Sequence, residues 1–381
     1  MRAYVFTDPA LTRHAGRFVW LELDTEKAKN AEIKKRLGIA ALPTYFVVDP
    51  ADERVALRWV GGFTVAQLDR LLDDGAVAVS GVPGGGAADS ALSRADRLYA
   101  AGDNAGAAAE YERALASAPE GWPSYARAVD AALFALSSAD SFEAATRLAH
   151  AAFPRVAHLP SAASVASSGL EAALELPRTH PQRRALMAEF EQDARAVLAD
   201  STLAIAADDR SGLYTDLMDA HKELMDLDGT RELAGQWAAF LEREAAAAKT
   251  PEQRAVFDSH RLSAYLELGQ PERAIPMLQA SERDLPGDYN PPARLAVAYR
   301  ALKRWDDALA ASDRALERAY GPRKLTLLAN RSDIYAGKGD RESARKTLEQ
   351  AIALAESLPP GQQSPGTLAS LKKKLEALKP S

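Results

Sequence analysis

Three tyrosines, Tyr265, Tyr299 and Tyr335, stand 34 and 36 residues apart, and nine residues beyond each is an alanine: Ala274, Ala308 and Ala344. Seven residues further on come Ser281, Ala315 and Ala351, again small. A large ring followed at fixed offsets by two small side chains, within alanine-rich sequence of helical period, predicts helix pairs that approach closely at the small positions. Such a pair cannot bury its own apolar face and gains stability only by stacking on neighbours, so the spacing commits much of the chain to a repeat architecture. Gly269 and Gly339 hold the turn position, with Lys303 in the middle copy, and an earlier unit aligns through Leu98, Gly102, Ala107, Tyr111, Ala114 and Pro119. The clearest copies cover 91–119 and 255–357, and weaker ones thread through 142–153 and 224–240, with Trp237 at a large-residue position. Residues 155–210 fit no unit well, and the run 161–169 reads as a degenerate repeat or a long connection. In 367–379, Leu368, Leu371, Leu375 and Leu378 line one side of a helix while Lys372, Lys373, Lys374 and Glu376 cover the other, the pattern of a cap that ends a stack.

The beginning of the chain is patterned differently. Residues 18–24, 44–48 and 55–60 are short β-branched and aromatic runs, the second closed by Asp49-Pro50 and the third by Gly61-Gly62. Residues 30–37 carry a helical pattern ended by Gly38, and Thr64 caps a helix whose apolar positions are Val65, Leu68, Leu71 and Leu72. The order strand, helix, strand, strand, helix predicts a mixed α/β segment. Charge separates it from the rest: residues 1–79 hold 11 basic and 11 acidic side chains, so the net charge of −6 falls entirely in 80–381. Between the two, Ser80-Gly81-Val82-Pro83-Gly84-Gly85-Gly86 has linker composition and lacks the Gly-Lys-Ser/Thr that a phosphate-binding loop requires. The expected organisation is therefore an α/β domain over 1–79, a Gly/Pro linker over 80–89 and an all-α helical-repeat solenoid over 90–381.

Two resemblances follow from these residues. The periodic part resembles the tetratricopeptide repeat (TPR), a helix–turn–helix unit whose stacked first helices line a concave groove. Residues 18–72, with Asp24 ending a strand, "GIAALPT" after a helix and a hairpin closed by "VGG", resemble the later two-thirds of a thioredoxin domain. That second resemblance implies a cis bond at Leu42-Pro43 and a turn, Leu42, Pro43 and Thr44, that offers backbone to an extended partner, as in strand addition. The departures matter: the family's Trp-Cys-x-x-Cys and the strand before it are missing, and the chain has no cysteine. Two expectations stay open, a redox-inactive remnant fold or a longer thioredoxin-family protein whose Cys-x-x-Cys lies ahead of Met1.

Catalytic signals are sparse. Without cysteine there is no disulfide, thiolate metal site or thiol chemistry in these residues. The histidines, His14, His150, His158, His180, His221 and His260, form no i,i+4 pair and no H-E-x-x-H, so no metal site is expected. No G-x-S-x-G elbow occurs. The acid pairs Asp73-Asp74 and Asp208-Asp209 read as charged turns, and the periodic tyrosines as inter-helix packing. A pI near 5.7 argues against a nucleic-acid footprint, and no run approaches the ~20 apolar residues of a membrane span. No catalytic residue, cofactor or metal is assigned.

What remains is binding. The TPR resemblance implies groove positions at Ser259, Ser263, Glu267, Asn290, Arg294, Val297, Arg300, Asn330 and Asp333, while the lysine–asparagine carboxylate clamp of some members is not reproduced. The expectation is an interaction scaffold for a protein or peptide partner. The alternative is a thiol–disulfide oxidoreductase with its cysteines upstream. The compartment is left open.

Overall fold

A computed structural model describes residues 4–39, 41–80 and 86–378. The elements begin with α1 (Ala31–Arg36), β1 (Thr44–Val48), β2 (Val55–Val60) and α2 (Val65–Ser80). The helical repeats start with α3 (Ala87–Ala100), α4 (Asn104–Ala116), α5 (Tyr125–Ser138), α6 (Phe142–Val156) and α7 (Ser161–Glu175). They continue through α8 (Arg183–Ala199), α9 (Ala207–Glu223), α10 (Leu227–Ala247), α11 (Pro251–Ala255), α12 (Asp258–Glu267) and α13 (Ala274–Asp284). The last are α14 (Asn290–Ala301), α15 (Trp305–Arg318), α16 (Arg323–Lys338), α17 (Arg341–Ser357) and α18 (Pro365–Ala377). The protein is a mostly helical repeat solenoid. Its contacts divide it into two units, one of Met1–Phe18 and Ala40–Leu233, the other of Val19–Ile39 and Ala234–Ser381.

The α/β segment is smaller than the sequence led us to expect. Among the described residues the sheet has two strands, β1 antiparallel to β2, running from Thr44 opposite Val60 to Val48 opposite Val55 with one irregularity at Val47/Val48. The run 18–24, expected as a strand, forms none: a strand needs a neighbour for its ladder of amides and carbonyls, and this stretch has no regular secondary structure, with Val19 and Leu21 about 87% and 80% exposed. The expected α/β domain is thus a two-stranded hairpin with α2 in the first unit, and the short helix α1 in the second. Helix α2 begins as its sequence requires, through a capping box in which Thr64 Oγ1 accepts from Gln67 N (3.2 Å) and Gln67 Oε1 accepts from Thr64 N (2.8 Å). Leu68, Leu71 and Leu72 then pack with Leu57, Phe63, Val5 and Leu11.

Helix α2 runs to Ser80 and α3 starts at Ala87, so residues 80 and 87–89 of the expected linker are helical, and 81–85 lie outside the described residues. The hairpin and α2 are fastened to the first repeat by charge. The Arg58 guanidinium stacks 4.7 Å from the Tyr99 ring centre, and Arg127 Nε of α5 lies 2.8 Å from Asp74 Oδ2 of α2. Asp73, its neighbour, pairs with Arg13 and Arg17. The Asp73-Asp74 pair is therefore part of a helix with arginine partners, not the turn expected of it.

The small residues fall where helices meet. Ala107 and Ala114 in the first unit, and Ala274, Ala308, Ala315, Ala344 and Ala351 in the second, are inaccessible to solvent, with Ser281 nearly so. The periodic tyrosines pack between helices, each beneath an arginine: Arg273 over Tyr265 (4.5 Å), Arg304 over Tyr299 (4.6 Å) and Arg331 over Tyr335 (5.3 Å). Residues 161–169 are neither a connection nor a loop but the start of α7. That helix is buried on several sides through Ala162, Ala163, Val165, Ala166, Leu170 and Ala173, which erases the polar–apolar contrast that reveals a surface helix. Helix α18 closes the second unit by burying Leu371 between α16 and α17, with Leu368, Leu375 and Leu378 beside it.

Candidate peptide-binding face

Each repeat contributes a first and a second helix, and successive first helices pack side by side: α5 on α7 and α7 on α9 in the first unit, α12 on α14 and α14 on α16 in the second. This brings some polar side chains of separate repeats within hydrogen-bond reach of one another. Of the expected positions in the second unit, Ser263 and Glu267 are exposed, while Ser259, Asn290, Arg294, Val297, Arg300, Asn330 and Asp333 are half-buried. Several are engaged by their own neighbours. Asp333 accepts from Arg300 Nη1 at 2.9 Å and from Lys374 Nζ at 2.9 Å, a cation on either side drawn from α14 and α18. Asn290 and Arg294 border a cleft of ≈ 550 Å³ with Glu252, Asp284 and Asp288. Burial lowers the pKa of Arg294 against the pull of Asp258 and Asp288, and burial raises that of Asp258, which is wholly inaccessible. Lys372 of the cap pairs with Glu356 (2.9 Å).

The face of the first unit was not foreseen. Asp130 of α5 accepts from Ser161 Oγ (2.7 Å) and Ser164 Oγ (2.6 Å) of α7, and Ser167 Oγ of α7 donates to Asp216 Oδ2 of α9 (2.6 Å). Burial pushes the Asp130 carboxyl up to about 7, opposed by its two serine donors and assisted by Asp209. Burial likewise takes Asp216 to about 7, with Glu171 and Asp219 adding repulsion, and Asp209 to about 6, with Asp208 adding to it. Glu171, exposed at its residue surface, is raised by local desolvation, then by Asp219 and Glu175. The Asp208-Asp209 pair, expected as a charged turn, sits in the first turn of α9, where a helix favours negative charge. Asp209 and Asp216 are seven residues apart, and the serines 161, 164 and 167 recur at three, so the face was present as a helical spacing in 155–223. Without recognisable repeats there, nothing marked those helices as first helices.

The Leu42–Pro43 peptide is cis, and Leu42 is about 60% exposed. Gly61 N donates to the Pro43 carbonyl (3.0 Å) and Thr44 Oγ1 to the Ala41 carbonyl (2.6 Å), which tie the turn to the end of β2. Five histidines sit in ion pairs or ring contacts, among them His14, buried and 2.9 Å from Asp69, and His221, 2.8 Å from Asp226. Among the described residues no group of three or more His, Cys, Asp or Glu is placed to hold a metal ion, and no helix is long and apolar enough to cross a membrane.

These features define a helical-repeat protein with polar first-helix faces. Residues 289–357 match the family model of the tetratricopeptide repeat. Among solved structures the chain is similar to a tetratricopeptide repeat protein from Parabacteroides merdae (10% identity, 77% of this chain and 98% of that one, TM-score 0.49). It is also similar to the TPR2AB domain of yeast Sti1 in complex with an HSP90 peptide (15% identity, 76% and 98%, TM-score 0.30). A third is YrrB, a TPR protein with an unusual peptide-binding site (15% identity, 54% and 91%, TM-score 0.29). No curated protein matches the chain.

Proposed function

We propose that the protein is an interaction scaffold that binds an extended segment of a partner polypeptide along its first-helix faces. The observation that carries this is the alignment of α5, α7 and α9, whose serines and carboxyls lie side by side and bond from helix to helix. The two faces differ in what they offer. In the second unit Asp333 is already matched by Arg300 and Lys374. In the first, Asp130, Glu171, Asp209 and Asp216 are raised by desolvation and neighbouring carboxylates, and a cationic side chain would offset the repulsion and favour their ionised forms. The partner segment at that face is accordingly basic. The turn Leu42, Pro43 and Thr44 is a further contact point in this reading, its exposed Leu42 offering an apolar anchor. Fluorescein-labelled 12-residue peptides, one lysine-rich, one glutamate-rich and one neutral, test it by anisotropy. The lysine-rich peptide should bind at least about tenfold more tightly than the acidic one, and Asp130→Lys with Asp216→Lys should abolish the preference. Equal binding of all three peptides would overturn it.

A second reading has its own observation. Among the described residues the run 18–24 forms no strand despite its strand composition, and β1 has β2 as its one strand neighbour. In that reading a strand and a Cys-x-x-Cys precede Met1, and the protein is a thioredoxin-family oxidoreductase whose repeats recruit substrates. In-frame Trp-Cys-x-x-Cys codons upstream, together with insulin reduction by the extended protein, would support it. A stop codon close upstream would end it.

A further inference from the structure

Within the second unit, residues 24–31 cross two turns that join successive repeats. At the turn between α15 and α16, the Tyr320 hydroxyl donates to Asp24 Oδ2, Arg323 Nη2 lies 2.6 Å from Glu26 Oε1, and the Lys27 ammonium stands 6.0 Å from the Tyr320 ring centre. At the turn Pro360–Gln362 between α17 and α18, Gln362 Nε2 donates to the Thr25 carbonyl (3.0 Å) and α1 packs against the turn. Two glycines make the approach possible. A Cβ at Gly321 would stand 2.2 Å from the Glu26 carbonyl oxygen, and one at Gly361 would stand 1.9 Å from that of Ala31. Gly321 also has φ of 59°, where a side chain is strained. Backbone of a turn-rich segment, which leads through a 3-10 turn (Ala28–Asn30) into α1, thus lies directly on the backbone of two successive turns, with one hydroxyl and one guanidinium reading two acidic side chains.

The segment is held lightly. Ala31 is the one buried residue in 19–39, and the ion pair to Arg323 is solvent-accessible, a kind that contributes little. Elements secured by few apolar contacts open before the core does.

We propose that the turns at Gly321 and Gly361 form a peptide-docking edge, separate from the first-helix faces, that reads two acidic side chains two positions apart on a turn-forming segment, and that residues 24–31 occupy it as an exchangeable ligand in cis. The probe is a fluorescein-labelled peptide of residues 19–39 added to the full chain. Wild-type protein should bind it at least tenfold more weakly than the Asp24→Lys/Glu26→Lys protein, because the tethered copy competes at high effective concentration. Adding Arg323→Glu to that variant should remove the binding. Equal binding to both proteins, or binding that survives Arg323→Glu, overturns the proposal. Hydrogen exchange on unaltered protein gives a second measurement that needs no variant to fold. Amides of 24–31 should exchange at least tenfold faster than those of α16 and α17, and protection equal to those helices overturns the proposal equally.

Discussion

Arg127 Nη1 and Nη2 lie 3.1 Å from the two carboxylate oxygens of Asp96, which also accepts from the Tyr111 hydroxyl at 2.8 Å. Both charged groups are buried, and Arg127 Nε reaches Asp74 as well. Burial would drive the Arg127 proton off, but the two carboxylates outweigh it and hold the guanidinium charged. One cluster thereby links α2, α3, α4 and α5, joining the segment before the repeats to the first repeats themselves.

Because both charges are out of water, removing one partner costs more than the pair contributes. Arg127→Met should destabilise the first unit by about 3–5 kcal/mol, since it strands Asp96 and Asp74 without a cation. Urea unfolding followed by circular dichroism reads this directly. A loss below about 1 kcal/mol would show that water reaches the cluster.

Gly169 of α7 lies against the ring of Phe190 of α8, and a Cβ there would come within 2.6 Å of the ring carbons. Phe190 is inaccessible, so the ring has no open space to move into. Gly169→Ala should cost about 1–3 kcal/mol by overpacking, despite the better helix propensity of alanine. Gly169→Ala combined with Phe190→Leu should recover part of the loss, measured as thermal midpoints of the three proteins.

The repeat positions give a sharper contrast. Ala308 is inaccessible while Ala310, two residues on, is exposed. Ala308→Leu should destabilise the second unit by about 1–3 kcal/mol, whereas Ala310→Leu should stay within about 0.5 kcal/mol of the parent. Similar effects at both positions would mean that the small residues do not set the helix spacing.

What could be read in advance followed contrast along the chain. Tyr265, Tyr299 and Tyr335 with their alanines announce helix pairs because a large side chain and a small one alternate at a period nothing else imposes. Thr64 and Gln67 announce the start of α2 because both halves of a capping box are local. The run 18–24 misled because β-branched composition states a preference, while a strand also requires a hydrogen-bonded neighbour that composition does not supply. Helix α7 was illegible for the opposite reason: it is buried on several sides and built from serine and alanine, so no face stands out. The same opacity hid the Asp130, Ser161 and Ser164 cluster, which joins residues 31 and 34 positions apart. Of the groove positions expected in the second unit, Asp333 is taken up by Arg300 of α14 and Lys374 of α18, a saturation no single-helix pattern could show.

The raised carboxyls make stability depend on pH in a definite direction. Asp130 and Asp216 titrate near 7 when folded, against about 3.9 when unfolded, so the folded state holds more protons between those values. Their contribution is then most favourable below pH ~4 and is lost as pH rises through ~7. Asp69 acts in the opposite sense: the Arg13 hydrogen bond holds it at about 2, so its contribution is present above pH ~4 and lost only in stronger acid. Between pH 5.5 and 8 Asp69 stays ionised throughout, and the raised acids set the slope. Wild-type protein should therefore lose stability across that interval. In Asp130→Asn/Asp216→Asn the slope should flatten, with a gain of about 1–2 kcal/mol at pH 8, less than the nominal ~4 kcal/mol per three-unit shift because both groups are partly solvated. Near pH 5 the difference should be about a third of that at pH 8, because the unfolded carboxyls already ionise above pH ~4. Chemical denaturation at pH 5, 6.5 and 8 decides it, and identical slopes for the two proteins would show that these carboxyls titrate as ordinary surface acids.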